Sequence, residues 1–439
     1  MLKPSWARRA RHFAGVAWLR TRQRARKIVR NWRLSNRARR IERGLVGWGP
    51  GPRGIFLVPG FGYGGAAKSM TRLAAALGQR GVPCLAIATE GTDKAEYPSY
   101  REAFTDCLDL SHEADKCDVL VRLLARLEPR FLFCALGVTA YRVLPALRER
   151  FPSMRVCDYV PAPGGGIDVC SLPTAPLIDV RIVESEDCRR EMLKLYDQRS
   201  YGEELRRRLH VVPNSIRIPA DLSNEDRLKS RRELGLEHDT FVVCYLGRYT
   251  AEKGLHTVLD VAELTSAENR RVRYVLAGDG PLYGEIEKAV EDRHLDRIIR
   301  MTGYLEDPAP VLAAADVLIA PSSREGMSNS VLEAMAQGKP ILCTRVGALP
   351  EVVSDGLDGY LVERGDEMAE TFGGHVIRLA DDRELYERLS KQARRTIETR
   401  FDEEKRMHTF ATLIWPEEAG ETSTQREPEP GAGLEAESK

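Results

Sequence analysis

From residue 54 onward, short uninterrupted apolar runs alternate with longer segments whose apolar positions recur every three or four residues. The opening group is "GIFLVPG", then "AAKSMTRLAAALGQRG", then "VPCLAIATEG". Strand, helix, strand at this spacing predicts a βαβ unit and therefore a parallel sheet, because parallel neighbours need a crossover. The alternation restarts near residue 241 with "FVVCYLGR", "LHTVLDVAELTS" and "RYVLAGDG" and continues through "VLIAPSS", "SVLEAMAQG" and "PILCTRVG". That is a second complete sheet, so the pattern predicts an α/β chain of two Rossmann-like units.

The segment between them, "VVPNSIRIPADLSNEDRLKSRRELGL", combines prolines, an Asn-Ser turn and a charged helical stretch, the composition of a connection between domains. The expected organisation is an N-terminal arm over 1–49, a first domain over 50–222 and a second over 223–400. A helix over 401–415 should cross back onto the first domain. A tail over 416–439, rich in Glu, Gly, Pro, Ser and Thr, has too few apolar residues to offset its ordering entropy and is expected to be disordered.

Charge alters this picture only at the ends. The chain has 439 residues and a net charge of +1, which gives no general case for a nucleic-acid binder. Residues 1–44, however, hold fifteen Lys or Arg against the single acid Glu42 and interleave them with Trp6, Phe13, Trp18, Ile28 and Trp32. Such an arm suits a helix lying on an anionic membrane; RNA binding and organelle targeting are its rival uses. No run of 18 apolar residues occurs, since "VLAAADVLIAP" is broken by Asp316 and stopped by Pro321. Nine scattered cysteines without a C-x-x-C pair read as reduced thiols, and the expected location is cytoplasmic, peripheral on the cytoplasmic face of the membrane if the arm binds there.

Candidate chemistry gathers in the second half. In "YLGRYTAEKGLHTVLDV" a strand ends at Gly247 and Arg248, and Lys253 and Gly254 stand at the mouth of a helix. Two cations at the C-terminal edge of a parallel sheet suit a diphosphate, although two ordinary surface cations would fit the same segment. In "PSSREGMSNSVLEAMAQGKP", Glu325 follows a strand and precedes Gly326 and a helix start, which reads as a ligand-facing carboxylate. Ser330 and Glu333 have the spacing of a capping box, a purely structural use for Glu333.

"GRYTAEKG", "AGDGP", "GYLEDPAPVLAAADVLIAPSSREGMSNSVLEAMAQGKPIL" and "GALPEVVSDGLDGYLV" closely resemble the retaining GT-B glycosyltransferases, the group 1 family that includes sucrose synthases and many bacterial mannosyl- and glucosyltransferases. The likeness runs from about residue 211 to 410, with the family's paired glutamates at Glu325 and Glu333 and its Arg-to-Lys spacing at Arg248 and Lys253. It implies two Rossmann-like domains facing across a cleft and a retaining hexosyl transfer from a UDP- or GDP-sugar. The acceptor would be a glycan or lipid-linked molecule of envelope or surface polysaccharide synthesis. Arg248 and Lys253 would stabilise the departing diphosphate with no metal and no cofactor. Glu333 would accept from the ribose, while Glu325 and the amides of Gly326, Met327, Ser328 and Asn329 would hold the sugar. Gly303 and Tyr304 would flank the base, and Gly64 and Gly65 would let a backbone approach the donor.

Two alternatives remain. Gly60, Gly62 and Gly65 have G-x-G-x-x-G spacing, with Glu90 ending the next strand, which would suit an NAD-dependent oxidoreductase or epimerase. A non-catalytic nucleotide-sugar-binding protein is the other. The family commonly has a histidine in the first domain, and here none occurs from Glu113 to Leu209. Asp158 or Asp168, around "RVCDYVPAPGGGID", is the expected acceptor-side substitute, against plain roles as strand end and turn former.

Overall fold

The computed structural model describes residues 30–31, 33–45, 54–62, 65–91, 98–161, 166–269 and 271–416. Most of the aromatic arm, with Trp6, Phe13, Trp18, Ile28 and Trp32, lies outside the described residues, as do Gly64 and the tail from 417.

The first sheet contains β1 (Gly54–Val58), β2 (Cys84–Ala88), β3 (Asp106–Asp109), β4 (Phe131–Ala135), β5 (Arg155–Val160), β6 (Val180–Val183) and β7 (Leu209–Val211). Its order is β3-β2-β1-β4-β5-β6-β7, with every pairing parallel. The second contains β8 (Phe241–Leu246), β9 (Val272–Ala277), β10 (Ile299–Gly303), β11 (Val317–Ala320), β12 (Ile341–Thr344) and β13 (Gly359–Val362), again all parallel, in the order β10-β9-β8-β11-β12-β13. The runs "GIFLV", "CLAIA" and "FLFCA" are buried along their whole length, as strands covered on both faces must be. Both sheets are therefore of the doubly wound kind expected from the alternation.

The basic arm is not wholly separate from the first domain. Residues 33–44 form a helix in which Leu34 and Ala38 are buried and Ile41 and Leu45 pack at the same spacing. It lies along the helix Lys116–Leu127, whose N-terminal acids meet its cations: Arg30 reaches Asp115 at 2.8 Å and Asp118 at 2.6 Å, and Arg37 pairs with Glu113. Arg126 pairs with Glu42 in the opposite sense. Exposed pairs of this kind add little stability, so the buried Leu34 and Ala38 fix the contact and the charges fix its register. The expected arm of 1–49 is corrected accordingly: residues 33–45, with Arg30, pack onto the first domain.

The second domain begins with the helix Asn224–Glu233, closed by a capping box between Ser223 and Asp226. Buried Arg231 ties this helix to Asp316 at 2.6 Å, and Asp316 also accepts the Val242 amide at the start of β8. After the helix Arg383–Arg400 the chain returns to the first domain. The helix Glu403–Ile414 inserts Met407, Phe410, Ala411 and Ile414 into the core formed by Phe56, Phe133 and Tyr159. Arg155 donates to the Leu413 carbonyl at 2.8 Å. At the crossing the Ile216 amide donates to Phe401 O at 3.1 Å, so the outward and returning segments lie side by side.

This returning helix is part of the first domain's core and not an appendage. Truncating Phe410, which is 3% exposed with its ring centroid 6.0 Å from those of Phe133 and Tyr159, is expected to cost about 3–5 kcal/mol. Urea unfolding of Phe410→Ala followed by circular dichroism checks this: the first-domain transition should move to lower urea while the second-domain transition stays.

Candidate active site

The strand order of the second sheet reverses between β8 and β11, and at that point the loops leaving the two strands must diverge and open a crevice. The loop after β8 carries Arg248 and Lys253; the loop after β11 carries Glu325. They are stitched together where they meet, because the Ser323 amide donates to Glu252 O at 2.7 Å. Gly254 makes the approach possible: at φ +68 a Cβ there would stand 2.2 Å from Pro321 O. Lys253 Nζ then lies 2.8 and 2.6 Å from the two oxygens of Glu325, whose second oxygen also accepts from Ser322 Oγ at 2.9 Å. Gly347, after β12, packs so closely under Glu325 O that a Cβ would come within 1.8 Å.

Arg248 is exposed on the same loop, with its own carbonyl anchored by Tyr245 Oη at 2.7 Å. The result is a rim with one exposed guanidinium and one ammonium shared with a carboxylate. A bound diphosphate would find both cations at the place where helix amides also converge.

Those amides belong to the helix Asn329–Ala336, whose N-cap Ser328 makes no side-chain cap hydrogen bond. The capping box read from Ser330 and Glu333 does not form. Ser330 Oγ is 3.0 Å from Ser328 Oγ, and Glu333 instead reaches across the cleft to Lys68 Nζ at 2.8 Å, on the first-domain helix Gly65–Gln79. Asn329 Oδ1 accepts from Asn214 Nδ2 at 2.5 Å. A third crossing runs from Glu351, which accepts the amides of Glu186 and Asp187 at 2.9 and 2.8 Å and so caps the first-domain helix Glu186–Gln198 from the other domain. Met327 and Ser328 are buried, Gly326 is half-buried, and at the far end of the sheet Gly303 takes φ +72 beside Tyr304, which is 57% exposed.

On the first-domain side, Gly65 opens its helix and Gly64 lies outside the described residues. The dinucleotide reading needs Glu90 turned to a ribose, yet Glu90 accepts from the Thr139 amide at 2.7 Å and from Thr89 Oγ1 at 2.6 Å, holding the start of the helix Val138–Arg150. Asp158 departs from its expected acceptor role. It lies directly opposite Arg181 in the β5–β6 register, fully buried, and receives that guanidinium at 2.6 and 3.0 Å, so no substrate can reach it. Asp168 is buried in the first turn of the short helix Ile167–Ser171, close enough to Cys188 to raise its thiol, which burial pushes up to about 12.

The sequence reading passed over Glu184, the residue that follows β6. It is 6% exposed, accepts from Tyr159 Oη and lies near the Met327 amide of the opposing domain. Burial pushes its carboxyl up to about 8, against those two donors and with help from the charge of Glu325. The signal that singled out Glu325, a carboxylate just past the C-terminal end of a parallel strand, was present in "RIVESED" too. Among the described residues no group of three or more His, Cys, Asp or Glu is placed to hold a metal ion.

With this geometry in hand, residues 226–396 match the family model for glycosyl transferases group 1. Lipopolysaccharide core biosynthesis glycosyltransferase LpsE of Rhizobium meliloti is 31% identical over 202 residues, 45% of this chain and 57% of that protein. The UDP-Gal:alpha-D-GlcNAc-diphosphoundecaprenol alpha-1,3-galactosyltransferase of Escherichia coli is 29% identical over 212 residues, 47% of this chain and 54% of its own. The chain thus aligns with about half the length of the curated relatives it matches. In architecture the likeness is wider. Anabaena HepE, solved with UDP, superposes with a TM-score of 0.70 over 82% of this chain and 99% of its own at 19% identity. Sucrose-phosphate synthase of Thermosynechococcus elongatus gives a TM-score of 0.64 over 83% and 98%, at 18% identity. Residues 226–396 thus carry the pattern of the glycosyl transferases group 1 family, and the chain's two parallel-sheet domains have the GT-B architecture.

Proposed function

We infer that the chain transfers a hexose-type sugar from a UDP- or GDP-sugar, with retention and without a metal or other cofactor, to a glycan or lipid-linked acceptor in envelope or surface polysaccharide synthesis. The observation that carries this reading is the placement of Lys253, hydrogen-bonded to Glu325, at the strand-order reversal of a sheet that faces a second domain across a cleft. A diphosphate arriving there draws on Lys253, on exposed Arg248 and on the amides of the helix Asn329–Ala336. As the sugar departs, negative charge grows on the diphosphate, and donors already in place stabilise it without reorganisation. Glu333, on the same helix, suits the ribose hydroxyls once Lys68 yields. Glu325, no longer shared with Lys253, suits the sugar with the amides of Gly326 to Asn329. Tyr304 offers an exposed ring beside Gly303 for the base.

Relatives support the choice of co-substrate and of pathway class. HepE was solved with UDP-glucose as well as UDP, and the Rhizobium and Escherichia proteins are named for lipopolysaccharide core and undecaprenol-linked sugars. A peripheral site on the cytoplasmic membrane face fits the basic arm, whose residues 1–29 hold nine of its fifteen cations. No helix among the described residues is long and apolar enough to cross a membrane.

Two experiments test these readings. Turnover of UDP-, GDP- and ADP-glucose should reveal the donor, and Lys253→Ala and Arg248→Ala should each lower kcat about 100-fold or more, equivalent to about 3–4 kcal/mol at the developing charge, while the protein stays folded. Excess chelator should leave wild-type turnover unchanged. Transfer by both variants within about threefold of wild type would remove the diphosphate assignment.

For the membrane arm the informative deletion is 1–29, because Arg30 and residues 33–45 contact the first domain. The truncated protein should fail to sediment with phosphatidylserine vesicles and still bind UDP. Each lost cation near the surface is worth about 1 kcal/mol, and salt should weaken the full-length interaction in the same direction. Undiminished sedimentation after deletion would exclude the arm as anchor.

A further inference from the structure

Asn214 lies in the segment that leaves β7 for the second domain and is 5% exposed. Its Oδ1 accepts from the Ser215 backbone amide at 3.0 Å and from Ser69 Oγ, on the helix Gly65–Gln79, at 3.2 Å. A backbone N–H can only donate, so the oxygen of Asn214 must face it and the nitrogen must face the other way. There Nδ2 donates to Asn329 Oδ1 at 2.5 Å, across the seam between the segment and the second domain. One amide thus dictates the orientation of the next: Asn329 turns its oxygen to the seam and keeps Nδ2 for the other side.

Asn329 is the first residue of the helix Asn329–Ala336, whose N-cap Ser328 makes no side-chain cap bond. It is half-buried, and among the described residues nothing accepts from its Nδ2. Nor is that atom one of the enclosed polar atoms that lack a partner, so it stands open to solvent at the helix start.

We propose that Asn214 is a positioning residue for the donor diphosphate: by taking Asn329 Oδ1 it presents Asn329 Nδ2 as a hydrogen-bond donor at the start of the helix Asn329–Ala336. The proposal rests on the transferase reading, which brings a diphosphate to this helix end. Diphosphate oxygens only accept, so an amide that offers its nitrogen attracts them and the same amide turned over repels them. Among the described residues the bond from Asn214 is what distinguishes the two orientations of Asn329. Asn214 therefore acts on the phosphates through Asn329 and need not touch the ligand. A contact that merely joined the segment to the second domain would act on phosphates and nucleoside alike and would not need an amide at 329.

The test is a double-mutant cycle on the affinity for UDP or GDP, whichever wild type binds, with the matching nucleoside as the probe that lacks phosphate. Asn214→Ala should weaken the nucleotide about tenfold, as expected for a hydrogen bond to a charged group, and leave the nucleoside within about twofold. In an Asn329→Ala background the same substitution should cost less than about twofold. Asn214→Asp keeps both acceptor contacts but sets an oxygen against Asn329 Oδ1, which turns that amide over. Its loss should exceed that of Asn214→Ala, and the excess beyond simple charge repulsion should vanish in the Asn329→Ala background, where only the charge remains.

A nucleotide affinity for Asn214→Ala within about twofold of wild type would overturn the proposal, as would penalties that add in the double variant or equal losses for nucleotide and nucleoside. The aspartate cycle decides in the same way should Asn214→Ala not fold. Failure of wild type to bind either nucleotide would remove the diphosphate site and this proposal with it. If binding follows the cycle while wild type transfers no sugar, the transferase reading fails and the positioning role stands.

Discussion

The arrangement of this protein follows from one constraint on parallel sheets: each strand must be followed by a crossover, so a sheet built outward in both directions has one place where neighbouring loops part. That place lies between β8 and β11, and it decides which residues meet. Arg248 and Lys253 come from one side, Ser322 and Glu325 from the other, and Gly254 and Gly347 supply the close backbone contacts that press the two loops together. The first sheet repeats the order, so the ends of β5 and β6 deliver Tyr159 and Glu184 to the facing wall.

Several polar contacts cross the cleft. Lys68 to Glu333 and Asn214 to Asn329 each join one group of the first domain or its linker to one of the second, and Glu351 accepts two first-domain amides, those of Glu186 and Asp187. Polar contacts that open to solvent exchange for water at little net cost, unlike the buried apolar seam between the helix Glu403–Ile414 and the first sheet. The cleft can therefore part while the returning helix stays in place.

What the sequence made legible was whatever depends on local pattern. Apolar runs located the strands, and the positions of Arg248, Lys253 and Glu325 at strand ends followed from the same reading. Partners chosen by the juxtaposition of domains were not legible, because nothing local couples Lys68 to Glu333 265 residues away. Glu333 illustrates the difference: its spacing from Ser330 matched a capping box, and an available lysine on the other domain took the carboxylate instead. Asp158 fails for a subtler reason. Neighbouring residues of a strand face opposite sides, so Tyr159 turns to Glu184 while Asp158 meets Arg181 across the register, and the choice of face is invisible in a run buried on both sides.

The side-by-side passage of the chain at Ile216 and Phe401 carries a mechanical consequence. A single connection between two bodies allows them to twist, swing and slide. Two adjacent strands of backbone, held together by an amide-to-carbonyl bond, resist twist and leave a swing about their common line as the soft direction. Residues far from that line sweep the widest arc, and those beside it scarcely move. Asn214, two residues from the pin, would thus move less against its partner in such a swing than contacts placed farther out.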